Sequence, residues 1–252
     1  MRYDTLGTAH DECFATESAS PRLVGEESGS MRIYIIMAGC YAYLPVGTNY
    51  LILPKTPLLE EGLEQLKKHL FNMHRLSDSA WSDMSGIWQL HQYKRKTILT
   101  AAGETERHVY FVLNGVQRIF YIDAHHEATL VFTYPYSFSG IADSFLTQLP
   151  SRYFLETLTA STLLRTTHTQ IQQLMDKHRD IEKLIGNFTS FALMGVLERQ
   201  VELLTFSAEE KFRALLKRSP HVLQLIPHKY LASYLGMDAT TFSKLMATVR
   251  IT

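Results

Sequence analysis

The stretch whose reading decides the fold is 226-IPHKYLASYLGMDATTFSKLMATVR-250. With Gly236 at a turn, the apolar residues on either side fall into two short helices. Leu231, Ala232 and Leu235 line one side of the first; Met237, Phe242, Leu245 and Val249 line one side of the second. Spacings of three and four residues put each set on a single helix face. Pro227 suits a first helical position, because it lacks only an N–H that would have no intrahelical partner. Asp238 can cap the second helix by accepting from the N–H groups of Thr240 or Thr241. Ala232 is small where the second helix must come close. Two short helices joined by a glycine-containing turn make a helix-turn-helix, whose second helix enters the DNA major groove. Its exposed positions would be Ala239, Thr240, Thr241, Ser243, Lys244, Ala247 and Thr248, small, polar or basic residues suited to base edges and phosphates. With Lys229 and Asp238 beside them, Thr240, Thr241, Ser243, Lys244 and Thr248 are the candidate DNA-binding residues. A helical hairpin in a bundle shares the apolar spacing; the Gly, Ala and cap positions favour DNA reading.

Immediately upstream, Ser207 with Glu210 three residues on forms a capping box for a helix through Leu215 and Leu216, closed by Pro220. Before it, residues 179–206 contain no proline and return to helical spacing. Ile181, Leu184, Phe188, Phe191 and Gly195 step by three and four, a heptad seam on a helix of ~40 Å at 1.5 Å per residue. Such a seam suits a second copy of the same helix, hence a homodimer. The helix can also lie on its own domain, with different faces serving different neighbours.

Further upstream the period changes to that of strands. Alternation appears over residues 91–99 and 108–113, and residues 127–134 and 152–158 add further strands. In HVYFVL-NG-VQRIFYID, two β-rich runs flank Asn114-Gly115, which predicts a two-residue hairpin with both turn residues at positive φ. Short strands at this spacing predict an antiparallel β-roll or small barrel, and an α+β chain. Two amphipathic helices precede them. Leu58, Leu59, Leu63, Leu66, Leu70 and Phe71 line the first, and Ser77-Asp78 caps a second that carries Trp81 and Met84.

Residues 1–56 differ from everything after them. The first thirty are polar without a period. Residues 33–54 then run for 22 positions without a charge, long enough for a membrane span, but Pro45, Gly47, Thr48 and Asn49 interrupt the run. MRIYIIMAGC resembles a lipoprotein signal ending at Cys40, with an apolar core too short for one. The segment reads as a disordered extension, or as upstream sequence translated from a wrongly assigned start, with no membrane role.

Composition sets the bounds. The 252 residues are 46% apolar and 20% charged, in the range of globular proteins. With 25 basic and 25 acidic residues the net charge is zero, yet residues 207–252 hold seven Lys/Arg against three Asp/Glu, a local excess of four suited to phosphate. Cys13 and Cys40 supply neither a disulfide scaffold nor a Cys-rich metal centre, which points to a reducing cytoplasm.

A β-roll, a long helix and a C-terminal helix-turn-helix, with the segments YFVLNGVQRIFYID, GIADSFLTQLPS, LERQVELLTFSAEEKFRALLKRSP and IPHKYLASYLGMDATTFSKL, resemble the catabolite activator/fumarate–nitrate regulator (Crp/Fnr) family of bacterial transcription factors over about residues 58–250. The resemblance implies an effector roll at 57–175, a dimerisation helix at 176–206 and a DNA-binding domain at 207–252. It also implies a homodimer reading a near-palindromic site on double-stranded DNA, with RNA polymerase as partner and no catalysis. Nucleotide-binding members carry Gly-Glu at the start of the phosphate cassette and Arg-Ser/Thr near its end, for ribose and phosphate. Here these are Gly140-Ile141 and Pro150-Ser151. Both charged side chains are missing, so no cofactor is expected and cyclic nucleotide binding is not; an unknown small-molecule effector remains open. Gly140, Ser151 and Arg152 are the remaining ligand candidates, although, if Ser151 starts the strand, alternation points Arg152 to the opposite face from it.

His125-His126-Glu127 invites a metal reading, because cupin-type rolls bind metals through His and Glu. Adjacent residues on a strand face opposite ways, so without a bulge the two His cannot share one metal, and no metal site is expected. A cupin-like metal- or small-molecule-binding protein with an accessory helical end is the alternative from a different class.

Overall fold

The computed structural model describes residues 36–37, 40–41, 57–124 and 126–249. The chain divides into two compact units, Met1–Pro54 and Lys55–Thr252. In the first, β1 (Ile36–Met37) pairs antiparallel with β2 (Cys40–Tyr41), Ile36 opposite Tyr41 and Met37 opposite Cys40. The rest of the extension read above lies outside the described residues. Among the described residues no helix is long and apolar enough to cross a membrane.

The second unit begins with α1 (Pro57–Met73) and α2 (Asp78–Gly86). Ser77 holds the N-cap position of α2 but makes no side-chain cap; its N–H instead donates to Asp180 Oδ2 at 3.1 Å. The strands follow: β3 (Gln89–Tyr93), β4 (Ile98–Thr100), β5 (His108–Asn114), β6 (Gln117–Ile122), β7 (Glu127–Thr133), β8 (Phe138–Ser139), β9 (Phe154–Thr157) and β10 (Ser161–Thr167), with α3 (Ala142–Thr147) between β8 and β9. They make two antiparallel four-stranded sheets, β3-β10-β5-β8 and β4-β9-β6-β7.

The hairpin expected at Asn114-Gly115 is not formed. β5 and β6 belong to different sheets, and Asn114-Gly115 is the corner between them. Gly115 has φ +94°, whereas Asn114 is not at positive φ, so the two-residue turn is absent. A Cβ on Gly115 would lie 2.4 Å from Ser161 Oγ and 2.6 Å from the Ala160 carbonyl oxygen. The local signal was real, but pairing of β5 with β10 and of β6 with β7 and β9 outweighs it.

Three cores result. The outer face of the first sheet, through Phe111 and Leu164, packs on Leu63, Leu66, Met84, Ile171 and Ile181 of the helices and on Trp88 of the link between α2 and β3. Between the sheets lie Tyr110, Val112 and Leu163 from one side and Ile119 and Leu155 from the other, joined by Ile141. The outer flank of the second sheet meets the C-terminal helices through Val116, Leu158, Phe132 and Tyr134.

The helices after the roll are α4 (His168–Lys177), α5 (Arg179–Thr205), α6 (Ala208–Arg218), α7 (Val222–Leu225), α8 (His228–Leu235) and α9 (Ala239–Thr248). The capping box of α6 forms, with Glu210 N–H donating to Ser207 Oγ and Ser207 N–H to Glu210 Oε2. A second capping box, Thr167 with Gln170, starts α4.

Candidate nucleic-acid interface and effector pocket

The α8–α9 pair is built as its sequence dictates. Gly236 ends α8 at φ +63°, a left-handed cap that glycine reaches without steric cost. Asp238 starts α9, its Oδ1 accepting from Thr241 N–H at 2.8 Å and its Oδ2 from Thr241 Oγ at 2.8 Å. Pro227 holds the N-cap of α8 rather than its first helical turn. Phe242 is fully buried, edge-on to Phe212 with centroids 5.4 Å apart.

Opposite Phe242, Ala239, Thr240, Ser243, Lys244, Ala247 and Thr248 are exposed. Thr241 is half-buried and committed to the cap. Ser243 and Thr248 donate their hydroxyls to the carbonyls of Ala239 and Lys244. That leaves Thr240 and Lys244 as the uncommitted polar side chains of the face. Lys229, exposed on α8, lies with its Nζ 4.7 Å from the Tyr230 ring.

Sequence reasoning missed how this head is seated. Tyr230 is buried against the outer face of the second sheet. Its ring meets the Arg118 guanidinium carbon at 3.9 Å, and its hydroxyl accepts from Lys96 Nζ at 2.8 Å. Glu156 accepts from both cations, from Arg118 Nε at 2.8 Å and from Lys96 Nζ at 3.0 Å. Burial alone would raise the Glu156 carboxyl; Arg118 and Lys96 outweigh it and hold the group below its ordinary value. One turn on, Ser233 Oγ accepts from Thr129 N–H at 2.9 Å and donates to the Glu127 carbonyl at 3.2 Å. Since β7 is an edge strand, one hydroxyl satisfies both a donor and an acceptor of that edge. Arg199 of α5 lies 4.2 Å from the Tyr234 ring, donates to the Tyr234 carbonyl, and pairs with Glu202, which also holds Arg218. The long helix, α6 and the head are thereby tied together.

The expected seam divides in two. Ile181 and Leu184 are buried within their own domain's core, and Phe188 is half-buried against Phe138, centroids 5.2 Å apart. A partner helix cannot reach the first two. Phe191 and Gly195 are exposed, and from Met194 onward Leu197, Val201 and Leu204 follow at steps of three, four and three, with Leu204 76% exposed.

In the cassette, Gly140 follows β8, and Ile141 buries its side chain in the inter-sheet core where the resemblance would put a ribose carboxylate. Glu106, fully buried, accepts from Thr100 Oγ at 2.8 Å and from the N–H groups of His108 at 3.1 Å and Ile141 at 3.5 Å. An acid of the chain itself thus sits at the start of the cassette, and its burial raises its pKa. Ser151 is buried and turned onto Tyr153, accepting from its N–H at 2.9 Å. Arg152 is exposed, 5.8 Å from the Tyr121 ring; it lies in a bend ahead of β9, so its outward direction does not come from strand alternation.

Of the His-His-Glu run, His125 lies outside the described residues, His126 is exposed at a turn with Asp123, and Glu127 pairs with Arg118 at 2.5 Å. Among the described residues no group of three or more His, Cys, Asp or Glu is placed to hold a metal.

This geometry has known counterparts. Residues 90–178 match the family described as the cyclic nucleotide-binding domain. FixK2 of Bradyrhizobium japonicum superposes with a TM-score of 0.57 at 14% identity, covering 64% of this chain and 83% of that one. A protein described as a transcriptional regulator of the Crp/Fnr family, from Eubacterium rectale, gives 0.56 at 14% identity, covering 71% and 84%. The c-di-GMP-responsive global regulator CLP of Xanthomonas campestris gives 0.51 at 16%, covering 68% and 90%. No curated protein matches the chain. The fold is an α+β fold of the Crp/Fnr regulator type: an antiparallel roll like a cyclic nucleotide-binding domain, then C-terminal helices.

Proposed function

We propose that the protein is a non-catalytic, DNA-binding transcription regulator of the cytoplasm. It acts as a homodimer on a near-palindromic site, with RNA polymerase as partner. The observation that carries this reading is α9 itself, with Phe242 locked inward and Thr240 and Lys244 exposed and uncommitted on the outward face. Its likeness to FixK2 and to the Eubacterium rectale protein supports it at the level of fold. The residues offered to DNA are Thr240 and Lys244, with Ser243, Thr248 and Lys229 at the edges, and Asp238 and Thr241 setting the helix start. The dimer seam is Met194, Leu197, Val201 and Leu204, continuous with Phe191 and Gly195. The roll is the effector domain. Its cassette lacks the side chains for a cyclic nucleotide, and Gly140, Ser151 and Arg152 do not converge on one ligand. The bounds 57–175, 176–206 and 207–252 serve as working domains. Selection from random duplexes should return two half-sites related by a two-fold axis, about 10 base pairs apart or a multiple of that. Recovery of no enriched sequence would overturn the reading.

A further inference from the structure

Inside the roll, a group of polar and aromatic side chains gathers around Arg165. The register of the first sheet sets Arg165 opposite Tyr110 on one side and Gln89 on the other. His91 and His108 are two residues along from those partners, so both imidazoles stand at the diagonal positions around Arg165. Tyr93 completes the group, its hydroxyl 3.4 Å from Arg165 Nη1 and its ring 6.1 Å from that of His91. This face carries Tyr110, Val112 and Leu163 of the inter-sheet core, so the group points into the roll.

The charges do not balance. Arg165 is half-buried and always ionised, and among the described residues it has no carboxylate partner. A cation withdrawn from water without a counter-charge is costly. The acid on that side, Glu106, is fully buried and already accepts from Thr100, His108 N–H and Ile141 N–H. His91 Nε2 is buried with no hydrogen-bond partner. Burial first, and then the charge of Arg165, keep both imidazoles below their ordinary value. Two phenols, two imidazoles and a guanidinium thus converge with donors and no anion.

We infer that Arg165, with His91, His108 and Tyr93, forms a binding site for a small phosphate- or carboxylate-bearing anion on the inner face of the first sheet, beside the start of the cassette but built from none of its side chains. A guanidinium takes either group through two parallel hydrogen bonds. Tyr110, opposite Arg165, is buried in the inter-sheet core together with Ile141; with that core already filled by side chains, a small anion fits better than a whole nucleotide. The inference rests on the effector-domain reading for its purpose alone. Its test uses no DNA, so either can fail without the other.

The full chain, isotope-labelled at histidine, is titrated with inorganic phosphate and separately with succinate, against chloride at matched ionic strength. The ring resonances of His91 and His108 should shift saturably with one or both probes; the probe that saturates identifies the anion class. Arg165→Gln should weaken binding about tenfold or more, the factor expected for a charge-assisted contact, and Arg165→Lys should retain part of it. Arg152→Gln should leave it unchanged. The inference is overturned if neither probe gives a saturable shift, if Arg165→Gln and Arg165→Lys both bind like the parent, or if Arg152→Gln abolishes binding.

Discussion

The guanidinium of Arg118 lies between two rings, its carbon 4.0 Å from the Phe120 centroid and 3.9 Å from that of Tyr230. Phe120 belongs to the roll and Tyr230 to the first helix of the helix-turn-helix. Stacking of this kind is worth about 0.5–2 kcal/mol, and the Lys96–Tyr230 hydrogen bond adds about 1.5–3 kcal/mol as a contact to a charged group. Tyr230→Phe should therefore lower the free energy of unfolding by about 1–3 kcal/mol, and Tyr230→Ala by about 3–5 kcal/mol. Urea denaturation of the two variants checks both. Equal losses would show that the ring contributes nothing beyond the hydroxyl.

Glu156 and Glu202 link the clasp to acid sensitivity. For each, burial raises the carboxyl, and paired cations (Arg118 and Lys96; Arg218 and Arg199) more than offset it, leaving both below the ordinary value. A carboxyl depressed on folding contributes stability above its unfolded value and loses it as pH falls through its folded one. The loss should thus set in below about pH 4.3. Thermal midpoints across that range should fall steeply for the parent and less steeply for Glu202→Gln. An unchanged slope would remove Glu202 from the explanation.

The two halves of α5 should separate by experiment. Leu184→Ala, in the domain core, should cost about 2–5 kcal/mol of stability. Met194→Asp and Leu204→Asp, on the exposed half, should leave the fold intact and give monomers by analytical ultracentrifugation. A dimer surviving both aspartates would place the subunit contact elsewhere.

Cyclic AMP should bind weakly or not at all. Ile141 fills the place of the ribose carboxylate, Pro150 that of the phosphate cation, and Glu106 already accepts from Ile141 N–H. Loss of one charge-assisted phosphate contact is worth roughly ten- to a hundredfold. Calorimetry returning micromolar affinity would contradict this and direct attention to Ser151 and Arg152.

Much of the frame was legible because it is set locally. The Ser207–Glu210 box, Gly236 and Asp238 mark helix ends through bonds within three or four residues, and the proline-free run at 179–206 matches α5 to within a residue. What stayed hidden depends on distant pairing. Asn114-Gly115 has hairpin chemistry, yet strands far away in sequence make it a corner. β10 and α4 were overlooked, although the Thr167–Gln170 capping box was a usable signal. Arg118 and Glu156 come from two strands and Lys96 from the turn between β3 and β4, while Arg165, His91 and His108 come from three other strands. No spacing in one sequence brings either group together.

The sharpest test falls on α9. Lys244 is exposed and its side chain is uncommitted. At a base edge, Lys244→Ala should cost about 1–3 kcal/mol and relax preference at one operator position; at a phosphate it should weaken all sites alike and flatten the salt slope by about one. Affinities of the parent, Lys244→Ala and Thr240→Ala for the selected duplex, taken over a range of salt, decide it. Either signature for Lys244, or a changed half-site preference for Thr240→Ala, is the expected result. Unchanged specific binding by both folded variants would mean that α9 does not read DNA.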